Sequence, residues 1–268
     1  MQEPVKDIKE EKASETEIEA GADEAGKDRP WISKRTVAAL AISALLTIAV
    51  IAATAVFGDD NYYLASFAII IITVLPFFAS FEGRQPQARE LVVLAVLIAI
   101  AAASRAAFFW LPAFKPMTAI VFISGIALGA GAGFMCGSMS AFVSNFLFGQ
   151  GPWTPWQMFA YGLAGLIAGL LAHKGIIKRC NLSNRAKLAL SIGSALFVLL
   201  VVGPILDTCA VFTMPASEMQ HYSVGAIYLS GVPVNIIHAL STFLTLFVVA
   251  NPMLDKLERM RLKYGMLS

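Results

Sequence analysis

Long apolar runs fill the chain from Thr36 onward, with short polar breaks between them. A helix that crosses the hydrocarbon core of a membrane needs about 20 apolar residues. The pattern therefore predicts eight membrane-spanning helices. They cover approximately residues 36–57, 62–81, 90–110, 118–131, 132–148, 155–173, 186–206 and 225–250.

The fourth and fifth spans are short and meet at a run of alternating glycine and alanine, Gly129 to Gly133. Glycine also recurs there at every fourth position, at Gly125, Gly129, Gly133 and Gly137. Small residues spaced by four line one face of a helix and let neighbouring helices approach closely in lipid. We therefore expect tight packing of short helices around this break.

Composition supports an all-α, polytopic membrane protein. Hydrophobic residues make up 57% of the chain and charged residues 14%, and the mean hydropathy is +0.71. Soluble domains carry about a quarter charged residues. The cysteines and histidines are scattered and form no metal-ligand spacing, so no metal site or cofactor is predicted. These residues are Cys136, Cys180, Cys209, His173, His221 and His238.

The first 33 residues differ from the rest of the chain. Ten acidic residues lie between Glu3 and Asp28, against five basic residues up to Arg29, and apolar periodicity is missing. Such a segment cannot bury enough apolar surface to offset the entropy of ordering it. Residues 1–33 are therefore interpreted as a disordered cytoplasmic tail and not as a signal peptide. Binding of a partner by this tail is the alternative.

The basic residues predict the orientation of the spans. With the amino terminus in the cytoplasm, almost all of them fall on the cytoplasmic side, as the positive-inside rule requires. Only Arg105 and Lys115 lie toward the outer face. The basic residues assigned to the cytoplasmic side are Lys34, Arg35, Arg84, Arg89, Lys174, Lys178, Arg179, Arg185, Lys256, Arg259, Arg261 and Lys263. The sequence thus predicts a multi-pass protein of the cell membrane.

The stretch Asn145 to Met158 stands out among the predicted outer segments. It holds two prolines, two glycines and two of the four tryptophans, together with amide and hydroxyl side chains. An interfacial aromatic belt explains many such tryptophans. It does not explain the neighbouring polar groups, so we expect this loop and the adjacent helix ends to form a mouth that holds a small molecule. Pro155 is expected to begin the sixth span.

Further candidate ligand contacts lie at the outer ends of other spans. Asn235 and His238 are three residues apart and share a helix face. A hydrogen bond between helices is the alternative role for this histidine. Two interpretations of Arg105 remain open. Its side chain either reaches outward to the membrane surface or belongs to the binding site. The predicted substrate-binding residues are Lys115, Asn145, Gln150, Trp153, Thr154, Trp156, Gln157, Asn235 and His238.

Taken together, these residues resemble the substrate-binding S subunit of energy-coupling factor (ECF) vitamin importers. The resemblance covers about 88–263. Besides the stretch Asn145–Met158, it rests on three features. These are the ridge Ala95, Ala99 and Ala103 in the first core helix, Lys115-Pro116 before the second, and Pro233–His238 in the last.

The resemblance implies a six-helix substrate-binding core over 88–268, which takes a vitamin from the outer face. Residues 34–87 would add two transmembrane helices to it. The alanine ridge would contact a transmembrane coupling subunit that works with two ATP-hydrolysing subunits. The chain itself has no GxxxxGK[ST] motif, so we expect it not to be an enzyme.

Other functions compete with this interpretation. A self-sufficient secondary transporter usually carries buried acidic residues, whereas here Glu90 and Asp207 are predicted at span ends. An intramembrane enzyme would have to use His238, Asn235 and Cys136, which no nucleophile–base spacing links. Aromatic and amide groups suit a flat heterocycle or a large polar vitamin, and cobalamin or a related compound is the first candidate. The expected partners are this vitamin, the importer subunits and the lipid bilayer, with no nucleic acid.

Overall fold

The computed structural model describes residues 68, 71–72, 74, 78, 88–214 and 223–264, and the described part is helical with no strand. The predicted tail and most of the two additional helices lie outside these residues. The five described positions between 68 and 78 are helical. Residues 215–222, in the predicted outer loop, also lie outside the described part.

In the described part of the core, seven helices follow one another, and a π-helical segment at Val198–Val202 joins two of them into one continuous span. Five spans are long and apolar enough to cross a membrane, and the helix at Met117–Leu128 is apolar but shorter. With the shorter helix included, the described core has six apolar helical segments at the places where the sequence predicts six spans, and five of them are long enough to cross. The helices are α1 (Ala88–Ala107), α2 (Met117–Leu128), α3 (Ala130–Phe148), α4 (Trp153–His173), α5 (Asn184–Phe197), α6 (Gly203–Thr213) and α7 (Val224–Tyr264).

The break between the two short spans lies at Gly129, close to the predicted position. Its φ angle is +89°, in a region that side chains with a Cβ rarely adopt. Glycine lets the chain turn from α2 directly into α3 without a loop. The remainder of the glycine ladder lies inside the helices and is used for packing.

The glycine ladder brings α3 and α4 into contact through their backbones. A Cβ added at Gly165 would meet the backbone of Gly133, and one added at Gly137 would meet the carbonyl oxygen of Tyr161. Gly125 of α2 likewise faces the Gly165 carbonyl. The expected tight packing is therefore confirmed, and it fixes how α4 lies against α2 and α3.

Some predicted span boundaries are wrong. The span predicted to end at residue 206 continues to Thr213, so Asp207 lies inside a helix and not in the outer loop. Helix α4 starts at Trp153 after Pro152, which places Pro155 within its first turn instead of at its first position. The last helix also runs past the predicted end at residue 250, to Tyr264.

The α4–α5 loop is fastened to α7 at one end of the bundle. The backbone N–H of Asn181 donates to Asp255 Oδ1 at 2.8 Å, and Asn251 Nδ2 donates to the Leu182 carbonyl at 2.8 Å. Burial, and after it the charge of Arg261, lower the pKa of Arg179 in this loop. Basic residues of the loop and of the end of α7 therefore gather at the same end of the bundle. Its position on the cytoplasmic side stays a prediction.

Candidate functional site

A hydrogen-bond network centred on Asn145 occupies the opposite end of the bundle. The Asn145 side chain is fully buried at the end of α3. Its Oδ1 accepts from Arg105 at 2.8 Å, and its Nδ2 donates to Thr154 Oγ1 at 3.1 Å and to Gln157 Oε1 at 3.0 Å. One amide thus joins α1, α3 and α4.

The loop between α3 and α4 closes this network. Thr154 Oγ1 donates to Gln150 Oε1 at 2.9 Å and accepts from the Gly151 amide at 3.2 Å. Gln150 Nε2 in turn donates to the carbonyl of Phe142 at 3.0 Å. We call the whole set the mouth network. Its members are Arg105, Ser144, Asn145, Gln150, Thr154 and Gln157.

Arg105 and Ser144 are the two members that the predicted substrate-binding set did not include, and Arg105 is the charged one. Its Nη1 donates to Ser144 Oγ at 2.7 Å as well as to Asn145, and its guanidinium carbon lies 4.5 Å from the centre of the Phe148 ring. The side chain therefore points into the bundle, which favours the site residue over the outward-reaching one. The signal in the sequence was a lone cation near the end of an apolar helix.

Trp153 and Trp156 occupy different environments although they are one helical turn apart. Trp153 is 41% exposed, and its Nε1 donates to the Gly149 carbonyl at 3.3 Å. Trp156 stacks on Phe212 of α6, with ring centres 5.9 Å apart and planes 21° apart. Its Nε1 is buried and has no hydrogen-bond partner among the described residues. The exposed ring suits an interfacial belt, whereas the stacked ring links α4 to α6.

His238 lies in the interior of the bundle. It is 2% exposed, and its Nε2 is 2.7 Å from Thr118 Oγ1 of α2. Tyr161 of α4 meets its ring edge-on at 5.8 Å between ring centres. The Tyr161 hydroxyl is buried without a partner among the residues the structure describes. Thr118 and Tyr161 are functional candidates that carry no special pattern in the sequence.

Asn235 bonds to Asp207 across the α6–α7 contact, with Nδ2 donating to Oδ2 at 2.7 Å. Asn235 is 6% exposed and Asp207 is half-buried. The sequence predicts Asp207 at the end of a span, and it is not among the predicted substrate-binding residues. Its position inside α6 brings it to the site, directly beside a predicted ligand contact.

Lys115 lies half-buried in the loop between α1 and α2. No described side chain forms an ion pair with it. Of the nine predicted substrate-binding residues, the structure joins four in the mouth network and ties three to contacts between α2, α4, α6 and α7. Trp153, at the first position of α4, and Lys115, in the α1–α2 loop, take part in neither set.

A cavity of about 510 Å³ lies beside the mouth network, between α3, α4 and the described residues at positions 71–78. Gln150, Gly151 and Thr154 contribute its polar rim, and the remaining walls are apolar. The apolar lining consists of Ile71, Val74, Phe78, Met139, Phe142, Pro155 and Met158. It is large enough for a small molecule, but it offers few polar groups to orient one.

The alanine ridge faces away from the bundle. Ala95, Ala99 and Ala103 are all exposed, while Leu94, Leu97 and Ala101 on the other side of α1 are buried. The described helices therefore do not use the ridge for packing among themselves. Its predicted contact with a coupling subunit is compatible with this exposure and stays a prediction.

In the part of the chain that the structure describes, the site presents hydrogen-bonding and aromatic groups but no arrangement for covalent chemistry. Among the described residues, no group of three His, Cys, Asp or Glu side chains could hold a metal ion. Cys136 is buried, with Ser140 Oγ at 3.9 Å from its sulfur, and has no base beside it in the described contacts. Hydrogen-bond donors, acceptors and aromatic faces in an apolar bundle are the features of a binding protein.

A comparison with family sequence models gave one match. The model for the ECF-type riboflavin transporter, S component, matches residues 86–259. No match was found among curated proteins or among solved structures. The matched region begins just before α1 and ends within the last turns of α7, so it contains the mouth network and every contact between α4, α6 and α7 described above. Because it covers more than half of the chain, this protein belongs to the family of ECF-type riboflavin transporter S components.

Proposed function

We propose that this protein captures riboflavin at the outer face of the cell membrane, as the substrate-binding subunit of an ECF importer. The family's description names riboflavin, a flat heterocycle of the kind that the aromatic and amide residues suit. The sequence pattern alone puts cobalamin first, and cobalamin therefore becomes the competing ligand in the binding test. The amino terminus is cytoplasmic in this proposal.

Tyr161 is the observation that carries the proposed position of the ligand. A buried hydroxyl without a partner costs about 1–3 kcal/mol, and a ligand group could supply the missing hydrogen bond. Tyr161 contacts His238, which shares a face of α7 with Asn235. The proposed ligand lies at this end of α4, α6 and α7, where polar groups from three helices face an apolar interior.

The cavity beside the mouth network is the weaker candidate for the position of the ligand. Its polar groups, Gln150 and Thr154, already form hydrogen bonds within the mouth network. A heterocycle with several polar groups would leave most of them unpaired against the apolar walls, which costs binding energy. In the proposal the mouth network shapes the entrance, and its residues affect the ligand mainly through the position of α4.

The proposal also assigns partners. The exposed alanine ridge of α1 is the surface for a transmembrane coupling subunit, which works with two ATP-hydrolysing subunits. Small side chains let two helices approach closely in lipid, where packing, not the hydrophobic effect, drives association. The chain itself would bind substrate and perform no hydrolysis.

The binding experiment uses the purified full chain in detergent. Riboflavin is titrated and its fluorescence quenching measured, and cobalamin is titrated by calorimetry in parallel. Saturable, one-to-one quenching by the protein is the expected result. Saturable binding of cobalamin alone would change the substrate, and absence of binding to both vitamins would contradict the proposed function.

Trp156→Ala is expected to weaken riboflavin binding by roughly 3- to 10-fold, because an aromatic pair contributes about 0.5–1.5 kcal/mol beyond its buried area. The loss would come from the Trp156–Phe212 stack that holds α4 against α6. Trp110→Ala is the matched control, since Trp110 is 65% exposed in a loop. Equal losses in the two variants would argue against a role for Trp156 in the binding site.

A further inference from the structure

Helices α6 and α7 meet through two reciprocal contacts between a glycine and a polar residue. On α6, Gly203 lies four residues before Asp207, and on α7, Gly231 lies four residues before Asn235. Because the helices run antiparallel, Gly203 faces Asn235 and Gly231 faces Asp207. Each helix thus contributes one glycine and one polar side chain to the same interface.

The two glycines leave room for the polar pair. A Cβ added at Gly203 would lie 2.5 Å from Cγ of Asn235, and a Cβ at Gly231 would collide with the carboxylate of Asp207. Any larger residue at either position would push one partner away. Gly203 of α6 and Gly231 of α7 therefore provide the space that the hydrogen-bonded pair Asn235–Asp207 occupies.

The chemistry of the pair fixes the orientation of the Asn235 amide. An ionised carboxylate only accepts hydrogen bonds, so the amide must turn its NH₂ group toward Asp207. That leaves Asn235 Oδ1 on the other side of the amide. No described residue donates a hydrogen bond to this oxygen, which makes it an available acceptor.

Retaining an acidic residue at this position requires an explanation. A carboxylate inside a membrane-spanning helix is costly unless it is paired, and no described Lys or Arg pairs with Asp207. The hydrogen bond from Asn235 is the only one that the described side chains give it. Because one hydrogen bond offsets little of the cost of burying a carboxylate, Asp207 is better explained by its effect on the Asn235 amide.

We propose that Asp207 is a positioning residue that determines specificity, an inference that rests on the proposed binding of riboflavin. By holding the NH₂ group of Asn235, it presents Oδ1 as an acceptor to the ligand. The site then selects ligands that carry an N–H donor at that point, as the imide of the riboflavin ring does. A ligand with an acceptor or a methyl group there would leave Oδ1 unpaired.

The test compares riboflavin with its derivative methylated at the imide nitrogen, using fluorescence quenching and the purified full chain. Wild-type protein is expected to prefer riboflavin by about 10- to 100-fold, because the derivative leaves a buried acceptor without a partner. In Asp207→Asn, residue 207 can donate or accept, so the Asn235 amide can turn over. The preference is then expected to fall by about tenfold, mainly through weaker riboflavin binding.

Thr208→Val is the matched control. Thr208 is the next residue on α6 and lies 2.6 Å from the hydroxyl of Tyr228, so the substitution also removes a hydrogen bond between α6 and α7. It leaves Asn235 untouched and should keep the wild-type preference even if stability falls. Should Asp207→Asn fail to fold, Gly231→Ala provides a second variant that displaces the carboxylate, and it should lower the preference in the same direction.

The outcomes separate this inference from the proposed function. Riboflavin binding by the wild-type chain with no preference over the methylated derivative overturns the inference alone. So does an unchanged preference in Asp207→Asn, which would reduce Asp207 to a structural role. A wild-type chain that binds neither flavin overturns the proposed function and the inference together.

Discussion

Asn145 shows that the polar residues of the mouth network bond to one another and hold helices together. Both atoms of its amide bond within the protein, to Arg105 of α1 and to Thr154 and Gln157 of α4. A buried amide with all these partners stabilises one geometry of the α3–α4 junction. The residue therefore acts on the site by shaping it, and a direct contact with ligand would require one of these bonds to be replaced.

Asn145→Leu tests this role at the residue scale. Leucine has a similar volume but removes one of the two acceptors of the half-buried Arg105 guanidinium, which keeps only Ser144. Loss of a hydrogen bond to a charged group costs about 2 kcal/mol. We expect a clearly lower melting temperature of the purified protein in detergent. Ser104→Ala is the control, because Ser104 donates only to the Ala101 carbonyl of its own helix. Equal melting temperatures for Asn145→Leu and the wild type would contradict the structural role.

Single residues were predictable where a local pattern sufficed. An amide inside an apolar run marks Asn145 as a residue that needs partners, and the sequence alone predicts that. The direction of Arg105 was not predictable in the same way. Its partners Ser144 and Asn145 are about 40 positions away in the sequence, and no local pattern reports a contact between α1 and α3.

At the scale of elements, the contact between α3 and α4 depends on glycines whose backbones touch. Gly133 and Gly165 face each other, and a Cβ on either would overlap the backbone of the other helix. Because backbone cannot change rotamer, the helices would have to separate to accept a side chain. This contact positions Tyr161, which lies one turn before Gly165 on α4.

Gly165→Ala is therefore expected to destabilise the protein by about 1–3 kcal/mol, as insertion of a carbon into a packed core does. The measurement is thermal unfolding of the purified chain. Gly193→Ala on α5 is the matched control, since no atom lies within 4 Å of the added Cβ. There the same substitution should stabilise the helix by about 0.5–1 kcal/mol. Similar effects of the two substitutions would contradict the packing argument.

The helix boundaries agree with the apolar pattern of the sequence except where a long-range contact lets a helix continue past a polar residue. The break near Gly129 and the six apolar helical segments of the core could be predicted from the sequence, although one of the six is shorter than a full span. The extension of the fifth core span to Thr213 could not, because Asp207 reads as a polar end of the apolar run. Its carboxylate is accommodated by Asn235, which lies on another helix and 28 residues away.

At the scale of the whole molecule, the proposed binding site and the proposed partner surface lie on different helices. The polar contacts of α4, α6 and α7 lie inside the bundle, and the alanine ridge of α1 faces outward. Arg105 lies two residues after Ala103 on α1 and bonds to the mouth network. The helix that carries the proposed partner surface is thus joined to the end of the bundle that carries the proposed binding site.

Ala99→Leu separates the two surfaces. A leucine on the exposed ridge leaves every described contact in the bundle intact, so riboflavin affinity should stay within about twofold of the wild type. Uptake of labelled riboflavin by cells or vesicles with the complete importer should drop at least about tenfold, because the larger side chain blocks close helix packing. Ala189→Leu, at an exposed position of α5, is the control and should retain uptake. Lost binding together with lost uptake in Ala99→Leu would refute the assignment.

The glycine contacts also bear on how this protein can diverge. Where a side chain meets a side chain, a second substitution can compensate for the first. Asn145 and its hydrogen-bond partners can be replaced together in that way. Where a side chain would meet backbone, as at Gly133 and Gly165, no substitution on the opposite helix makes room. Divergence of this protein is therefore expected more readily at the mouth, through paired changes, than at the α3–α4 contact, where every added side chain costs stability.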